Sequence, residues 1–249
     1  MAAEYEIFER IKENPSARIW RYMNFTKFVY LLDTRCLYFR RSDKLEDRFE
    51  GSTPKPNFYF QGERHSGFLK QFRRYVAINC WHINTRESAA MWELYGKGKS
   101  GIAIQSTYER LMESFSEVEE KPEVGRIQYI DFQTDFSPIV NQSEFLTGRN
   151  HYYQFMYKRK SFKHENELRA LICRPPPSTA EGRLDLSENL IHDGIPVKVA
   201  IKTLIEKIFI HPDAPLWLIE LVKSIAKKYD IHDAEIPVKQ SSLADDPIY

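Results

Sequence analysis

A chain of 249 residues that is 42% hydrophobic and 29% charged has the composition of a soluble globular protein and could form one large domain or two small ones. Its formal net charge of +1 excludes a global field that recruits a polyanion, so any nucleic-acid contact must come from a local patch. Cys36, Cys80 and Cys173 fit neither a disulfide framework nor zinc spacing, no run of 18 apolar residues exists, and the N-terminus lacks a signal-peptide core, so a reducing, cytoplasmic location is expected.

The elements follow in chain order. Residues 3 to 13 alternate acids with Tyr5, Ile7, Phe8 and Ile11, a short amphipathic helix stopped at Asn14-Pro15. Ile19 to Tyr22 reads as a strand, and Asn24 can cap a helix whose buried stripe is Phe25, Phe28, Val29, Leu31 and Leu32. A second strand, Cys36 to Arg40, leads into the charged loop RRSDKLEDRFEG, with Leu45 and Phe49 as apolar anchors. Residues 52 to 66 read as an irregular connection, and 68 to 75 as a basic helix. Tyr75 to Trp81 is a near-continuous apolar strand, hence central. A helix around Met91, Trp92, Leu94 and Tyr95 ends at Gly96, and Gly101 to Gln105 is a strand.

Ser106 or Thr107 can cap a helix over 108 to 115, and Arg126 to Ile130 is a strand. Residues 143 to 160 read as a long helix with a basic end. Beyond Arg174-Pro-Pro-Pro177 lie a polar stretch, strands over 196 to 201 and 205 to 210, and a helix from Asp213 to about Tyr229 with Leu216, Ile219, Leu221, Val222 and Ile225 on its apolar side. All four tryptophans (Trp20, Trp81, Trp92 and Trp217) are expected in the core. Interspersed strands and helices with short connections give an α+β fold. One domain over 1–249 is expected, with 1–18 as an N-terminal helical extension and 213–249 as a C-terminal helix and tail packed on the core.

The stretch FKHENELRALIC, residues 162 to 173, carries the densest signal. A strand period of two puts Glu165, Glu167 and Arg169 on one face and Leu168, Ala170 and Ile172 on the other. Charges at the mouth of a core must be solvated in a cleft or paired. Two readings stand side by side: an edge strand with cross-strand ion pairs, or a functional cleft.

Gly96, Gly98 and Gly101 lie between a helix and a strand, which excludes a Rossmann or P-loop phosphate cradle, and no HExxH or GxSxG occurs. The seven histidines are scattered without metal-ligand spacing, so no metal site is assigned to them. A two-metal nuclease could be drawn from Asp43, Asp47, Glu165 and Glu167, but Arg169 stands where a lysine is expected.

The order IWRYM, LYFRRSDKLEDRFEG, SAAMWELYGKGKSGIAI and FKHENELRAL, with IFIHPDAPLWLIELVKSIAKKY and SSLADDP near the C-terminus, resembles a bacterial family known only as a domain of unknown function. LYFRRS and ENEL also resemble, more distantly, segments of the DNA-targeting ADP-ribosyltransferase toxins. That second resemblance implies a split mixed and antiparallel sheet core with surrounding helices, and an enzyme that takes NAD as substrate. Such an enzyme cleaves the nicotinamide–ribose bond and transfers ADP-ribose to a macromolecule, nucleic acid or protein, as a toxin or phage-defence effector with a partner or antitoxin protein.

It assigns catalytic roles to Glu167 and to the strand-two arginine, Arg41, with Arg40 as the alternative register. Arg21 takes the adenosine-side role, although the toxins usually carry histidine there, and Glu165 would orient the acceptor. Tyr22, Phe39, Arg40, Ser88, Trp92 and Tyr95 complete the NAD contacts, the aromatics as surfaces for nicotinamide and Ser88 as a hydrogen-bonding group. The runner-up is a non-catalytic module binding a nucleotide, nucleic acid or protein, in which Glu165, Glu167 and the Asp43–Glu50 loop pair with Arg40, Arg41 or Arg169. The metal nuclease is third.

Overall fold

A computed structural model describes residues 5–96, 98–137, 145–179, 184–232 and 234–248. Eleven strands are present among them, interspersed with helices. In chain order these are β1 (Arg18–Asn24), α1 (Phe25–Thr34), β2 (Cys36–Arg41), α2 (Lys55–Phe72), β3 (Val76–Ile83), α3 (Ala89–Tyr95) and β4 (Gly101–Thr107). Then come α4 (Tyr108–Glu113), β5 (Glu123–Arg126), β6 (Gln128–Ile130), β7 (Tyr157–Arg159), β8 (Glu167–Cys173) and β9 (Gly194–Lys198). The last are α5 (Ile201–Leu204), β10 (Lys207–Ile210), α6 (Leu216–Lys228) and β11 (Val238–Gln240). The architecture is α+β, with mixed parallel and antiparallel pairing.

The chain divides into two compact units. The first comprises Met1–Ile11, Tyr38–Cys80 and Pro122–Pro196; the second comprises Lys12–Leu37, Trp81–Lys121 and Val197–Tyr249. In the first, the end of β2 pairs antiparallel with β3 (Arg40 opposite Ile78), and β8 is bracketed by β3 and β5. Its core is aromatic: Phe72, Tyr75, Phe145 and Phe155 pack with Met156 and Leu171, and the Phe72 and Phe145 rings meet edge to face at 4.7 Å. In the second, the order β11-β10-β4-β1 is set by seven β1–β4 pairs from Arg18–Thr107 to Asn24–Gly101. There Trp20, Tyr22, Met91, Trp92, Ala103 and Phe209 form a compact cluster.

Local chemistry placed several elements as the sequence predicts. The Asn24 side chain accepts from the Lys27 amide to start α1, and Thr107 does the same for α4 through Arg110. β3 is buried on both faces along most of its length, as a central strand must be.

Other expectations are corrected. Residues 52 to 66 are not irregular: α2 starts at Lys55 and tolerates Gly62 at φ 81° as a break within it. The expected helix over 143–160 has residues 143 and 144 outside the described residues. The remainder is a turn, a 3₁₀ segment Asn150–Phe155 and β7, because Tyr157, Lys158 and Arg159 pair in parallel with β6. The face of the long C-terminal helix is only partly as expected: Val222 is buried and Ile219 and Ile225 are half-buried, but the buried line is centred elsewhere. Pro215 occupies the N-cap, and Leu218, Val222 and Ala226 are buried at i, i+4, i+8, while Leu216 and Leu221 are exposed. Apolar residues on three sides of LWLIELV leave the period without a unique answer. Trp217 is 63% exposed, so only three of the four tryptophans are core.

Candidate functional site

β8 is an interior strand, which overturns the edge-strand reading of FKHENELRALIC. The strand period also fails at its start. Lys160–Glu165 is a 3₁₀ segment closed by Asn166 in the left-handed region (φ 37°), and the strand begins only at Glu167. Glu165 and Glu167 nevertheless meet, because one ammonium holds both. Lys158 Nζ donates to Glu165 Oε2 at 2.5 Å and to Glu167 Oε2 at 3.1 Å.

Around this pair lies a buried cluster of five charges, Glu50, Lys158, Glu165, Glu167 and Arg169. Arg169 is 0% exposed and uses every guanidinium N–H. Nε donates to Glu167 Oε1 (2.7 Å) and one Nη2 hydrogen to Glu167 Oε2 (3.2 Å). The Glu50 carboxylate takes a fork from Nη1 (2.7 Å) and Nη2 (2.8 Å), and the Phe155 carbonyl accepts the last Nη1 hydrogen. Lys158 Nζ stands 3.6 Å from Glu50 Oε1.

Three carboxylates against two cations leave a formal charge of −1 inside the protein. Burial alone would push the Glu167 carboxyl up. Arg169 and Lys158, with hydrogen bonds from Arg169 and the Cys80 thiol, outweigh it and hold the pKa at about 2. The same field runs the other way for the acids nearby. Burial and then the Glu167 charge raise both the Cys80 thiol and the Tyr129 phenol. The Tyr129 oxygen accepts the Glu167 amide at 2.9 Å, which fixes the strand start. Burial opposes charge on Lys158, but Glu167, Glu50 and Glu165 raise its pKa above the usual lysine range.

The loop after β2 supplies Glu50. Gly51 has φ +63°, and a Cβ there would stand 2.6 Å from Phe155 Cε1, so only glycine lets the chain turn Glu50 onto Arg169. Of the two expected anchors, Leu45 packs against the aromatic core, and Phe49 meets Phe132 edge to face at 5.5 Å. Asp47 accepts from Arg159, whose guanidinium lies 4.3 Å from the Phe49 ring centroid.

The other predicted residues fall in both units. In the first, Arg41 is buried and committed: Nε and Nη2 grip Asp43 at 2.7 and 3.1 Å, and Nη1 reaches the Ile191 carbonyl. Arg40, one residue away, is exposed on the opposite face of β2, and Phe39 is core. In the second unit the Tyr22 hydroxyl accepts the Ser88 amide at 2.9 Å, and its ring meets Trp92 edge to face at 5.0 Å. Ser88 Oγ caps α3 through the Met91 amide, and Trp92 is 1% exposed. Arg21 lies over the Trp81 ring at 5.9 Å, and Tyr95 is exposed. Thus Glu165 joins Glu167, and Tyr22, Ser88 and Trp92 join one another.

Sequence reading missed Lys158 as the ammonium between the two glutamates, because it assigned that segment to a helix. No local signal marks it: Tyr-Lys-Arg does not alternate, and Tyr157 and Lys158 are both buried in β7. The four acids of the nuclease reading do not converge on an ion: Asp43 holds Arg41, Asp47 holds Arg159, and Glu165 and Glu167 hold Lys158. Among the described residues no group of three or more His, Cys, Asp or Glu is placed to hold a metal.

No curated protein matches the chain. Among solved structures it is similar to Thermus sp. 2.9 DarT in complex with carba-NAD+, at 12% identity and a TM-score of 0.41, over 92% of this chain and 96% of that one. Thermus sp. 2.9 DarT in complex with NAD+ matches at 12% identity and TM-score 0.41, over 91% and 95%. The same protein in complex with ADP-ribosylated ssDNA matches at 10% and 0.40, over 87% and 90%. A likeness of that degree assigns no activity. Residues 91–170, which include Lys158, Glu165, Glu167 and Arg169, match the model of a family described as a protein of unknown function (DUF2971).

Proposed function

We propose that the chain is an ADP-ribosyltransferase-like enzyme that takes NAD as substrate, with Glu167 as its functional carboxylate. The observation that carries this reading is the buried cluster at the head of β8. It has one uncompensated negative charge and a Glu167 carboxylate ionised down to about pH 2. Cleavage of the nicotinamide–ribose bond develops positive charge on the sugar, as in glycoside hydrolysis, and a fixed anion in a poorly solvated site favours that charge. The order of the sequence motifs supports Glu167 in that role. Arg40, exposed on β2, is the arginine available to a pyrophosphate, while Arg41 holds Asp43 and the 191 carbonyl and so positions the loop. The acceptor class is a macromolecule, nucleic acid or protein, in an effector of the toxin or phage-defence kind.

The test is incubation with labelled NAD and cell lysate. Label transfer or nicotinamide release is expected from the native chain. Glu167→Gln is expected to lose it by roughly 100- to 1,000-fold, the usual effect of removing one transition-state-stabilising group. No turnover and no calorimetric NAD binding would overturn the reading.

A second reading is favoured by a specific observation: both Glu167 oxygens are occupied by Arg169 and Lys158, and the residue is 3% exposed. In that case the cluster is structural and the chain is a non-catalytic binding module. Glu167→Gln lowers the melting temperature in either reading, but in this one NAD gives the native chain no protection against melting.

A further inference from the structure

We propose that a cleft in the second unit binds a phosphate monoester of a small polar molecule, with Arg35 and Lys198 as the anion-holding residues. The cleft has a volume of about 660 Å³, within the range of small-molecule sites. All its lining residues belong to the second unit, whereas the carboxylate cluster belongs to the first, so the proposal does not rest on the NAD reading.

Two observations converge on it. The first is backbone conformation. Among the described residues three non-glycines have positive φ: Arg35 (53°), Asn166 (37°) and Asp230 (63°). Two of these, Arg35 and Asp230, line this one cleft. Arg35 ends α1 at the position where glycine is the favoured residue, because a Cβ crowds the left-handed backbone. A long charged side chain kept there, against that preference, indicates a use for the side chain.

The second is available charge. The Arg35 guanidinium has no hydrogen-bond or ion-pair partner among the described residues, and it is exposed. Lys198 Nζ makes one bond, to the Thr34 carbonyl at 3.1 Å, and keeps two donors. Lys202, the third cation of the lining, is already tied to Asp230 (2.9 Å) and Glu235 (3.3 Å). Two cations with donors to spare match a dianionic phosphate monoester better than a single carboxylate. Glu117 and Asp230 supply acceptors for hydroxyl groups, and buried Leu32 and Val199 give an apolar wall. A sugar phosphate has this combination of groups.

The experiment is calorimetric titration of the full chain with ribose 5-phosphate, with ribose and inorganic phosphate as separate arms. Binding of the sugar phosphate, no binding of ribose and weaker binding of phosphate are expected. Arg35→Gly removes the cation while relieving the backbone, so it is expected to raise the melting temperature and weaken ribose 5-phosphate at least about tenfold. Lys198→Met is expected to weaken it without changing the fold. No binding to the native chain at millimolar ligand would overturn the proposal, as would equal affinity in both variants.

Discussion

At the scale of single residues, the cluster at β8 is governed by desolvation. A carboxylate placed where Glu167 lies would ordinarily take up a proton; it stays ionised because Arg169 and Lys158 stand at 2.7 and 3.1 Å from it. Folding depresses this pKa, so its stabilising effect is present above the ordinary value of 4.5 and is lost as pH falls through about 2. Over that window the native chain is expected to lose roughly 3 kcal/mol more unfolding free energy than Glu167→Gln, which has no proton to gain. Urea unfolding at a series of pH values compares the two, and parallel pH profiles would remove Glu167 as the depressed group. The residue pair Arg40 and Arg41 shows the same economy. A one-residue difference on a strand turns one guanidinium inward onto Asp43 and leaves the other in solvent.

At the scale of elements, the loop between β2 and α2 is folded down by its own side chains. Glu50 reaches Arg169, Asp47 reaches Arg159 and Phe49 reaches Phe132. Gly51 is the hinge that allows it. Gly51→Ala would meet both the strain of φ +63° and the Phe155 ring, and is expected to cost about 1–3 kcal/mol in urea unfolding. It should also displace Glu50 from Arg169. A variant as stable as the native chain would show that the loop is not held in this conformation. Elsewhere in the chain, element reading from sequence succeeded unevenly. Asn24 and Thr107 cap helices through contacts three residues away, and these were legible. β7 is three residues long and exists because β6 pairs with it, a contact 29 residues distant at Gln128–Tyr157, and local pattern cannot report that.

At the scale of the whole molecule, three strands contribute residues to both compact units. β2 passes from one to the other after Leu37, β3 after Cys80 and β9 after Pro196. All four tryptophans belong to the second unit, while Arg169 and its partners belong to the first. Arg169→Met leaves Glu50 and Glu167 buried without their main counter-charge, a loss of roughly 3–5 kcal/mol. Because the units share covalent strands, one cooperative transition is expected, and tryptophan fluorescence should report the lowered midpoint although the substitution lies in the other unit. A fluorescence midpoint left unchanged while circular dichroism shifts would show that the units unfold separately. No helix of the described residues is long and apolar enough to cross a membrane.

By itself the sequence determined whatever depends on near neighbours: the α+β class, the capped helices, the apolar run of β3 and the concentration of charge from Glu165 to Arg169. Alternation and capping act over one to four residues, so they are written in the local order. Only the tertiary structure decided which charges meet. Glu50 and Arg169 are 119 residues apart in the chain, yet they share two hydrogen bonds. Lys158 bridges two glutamates from a strand, β7, that long-range pairing with β6 defines. The physical reason is that desolvation sets the strength and direction of these interactions, and desolvation belongs to the packed molecule rather than to any stretch of its sequence.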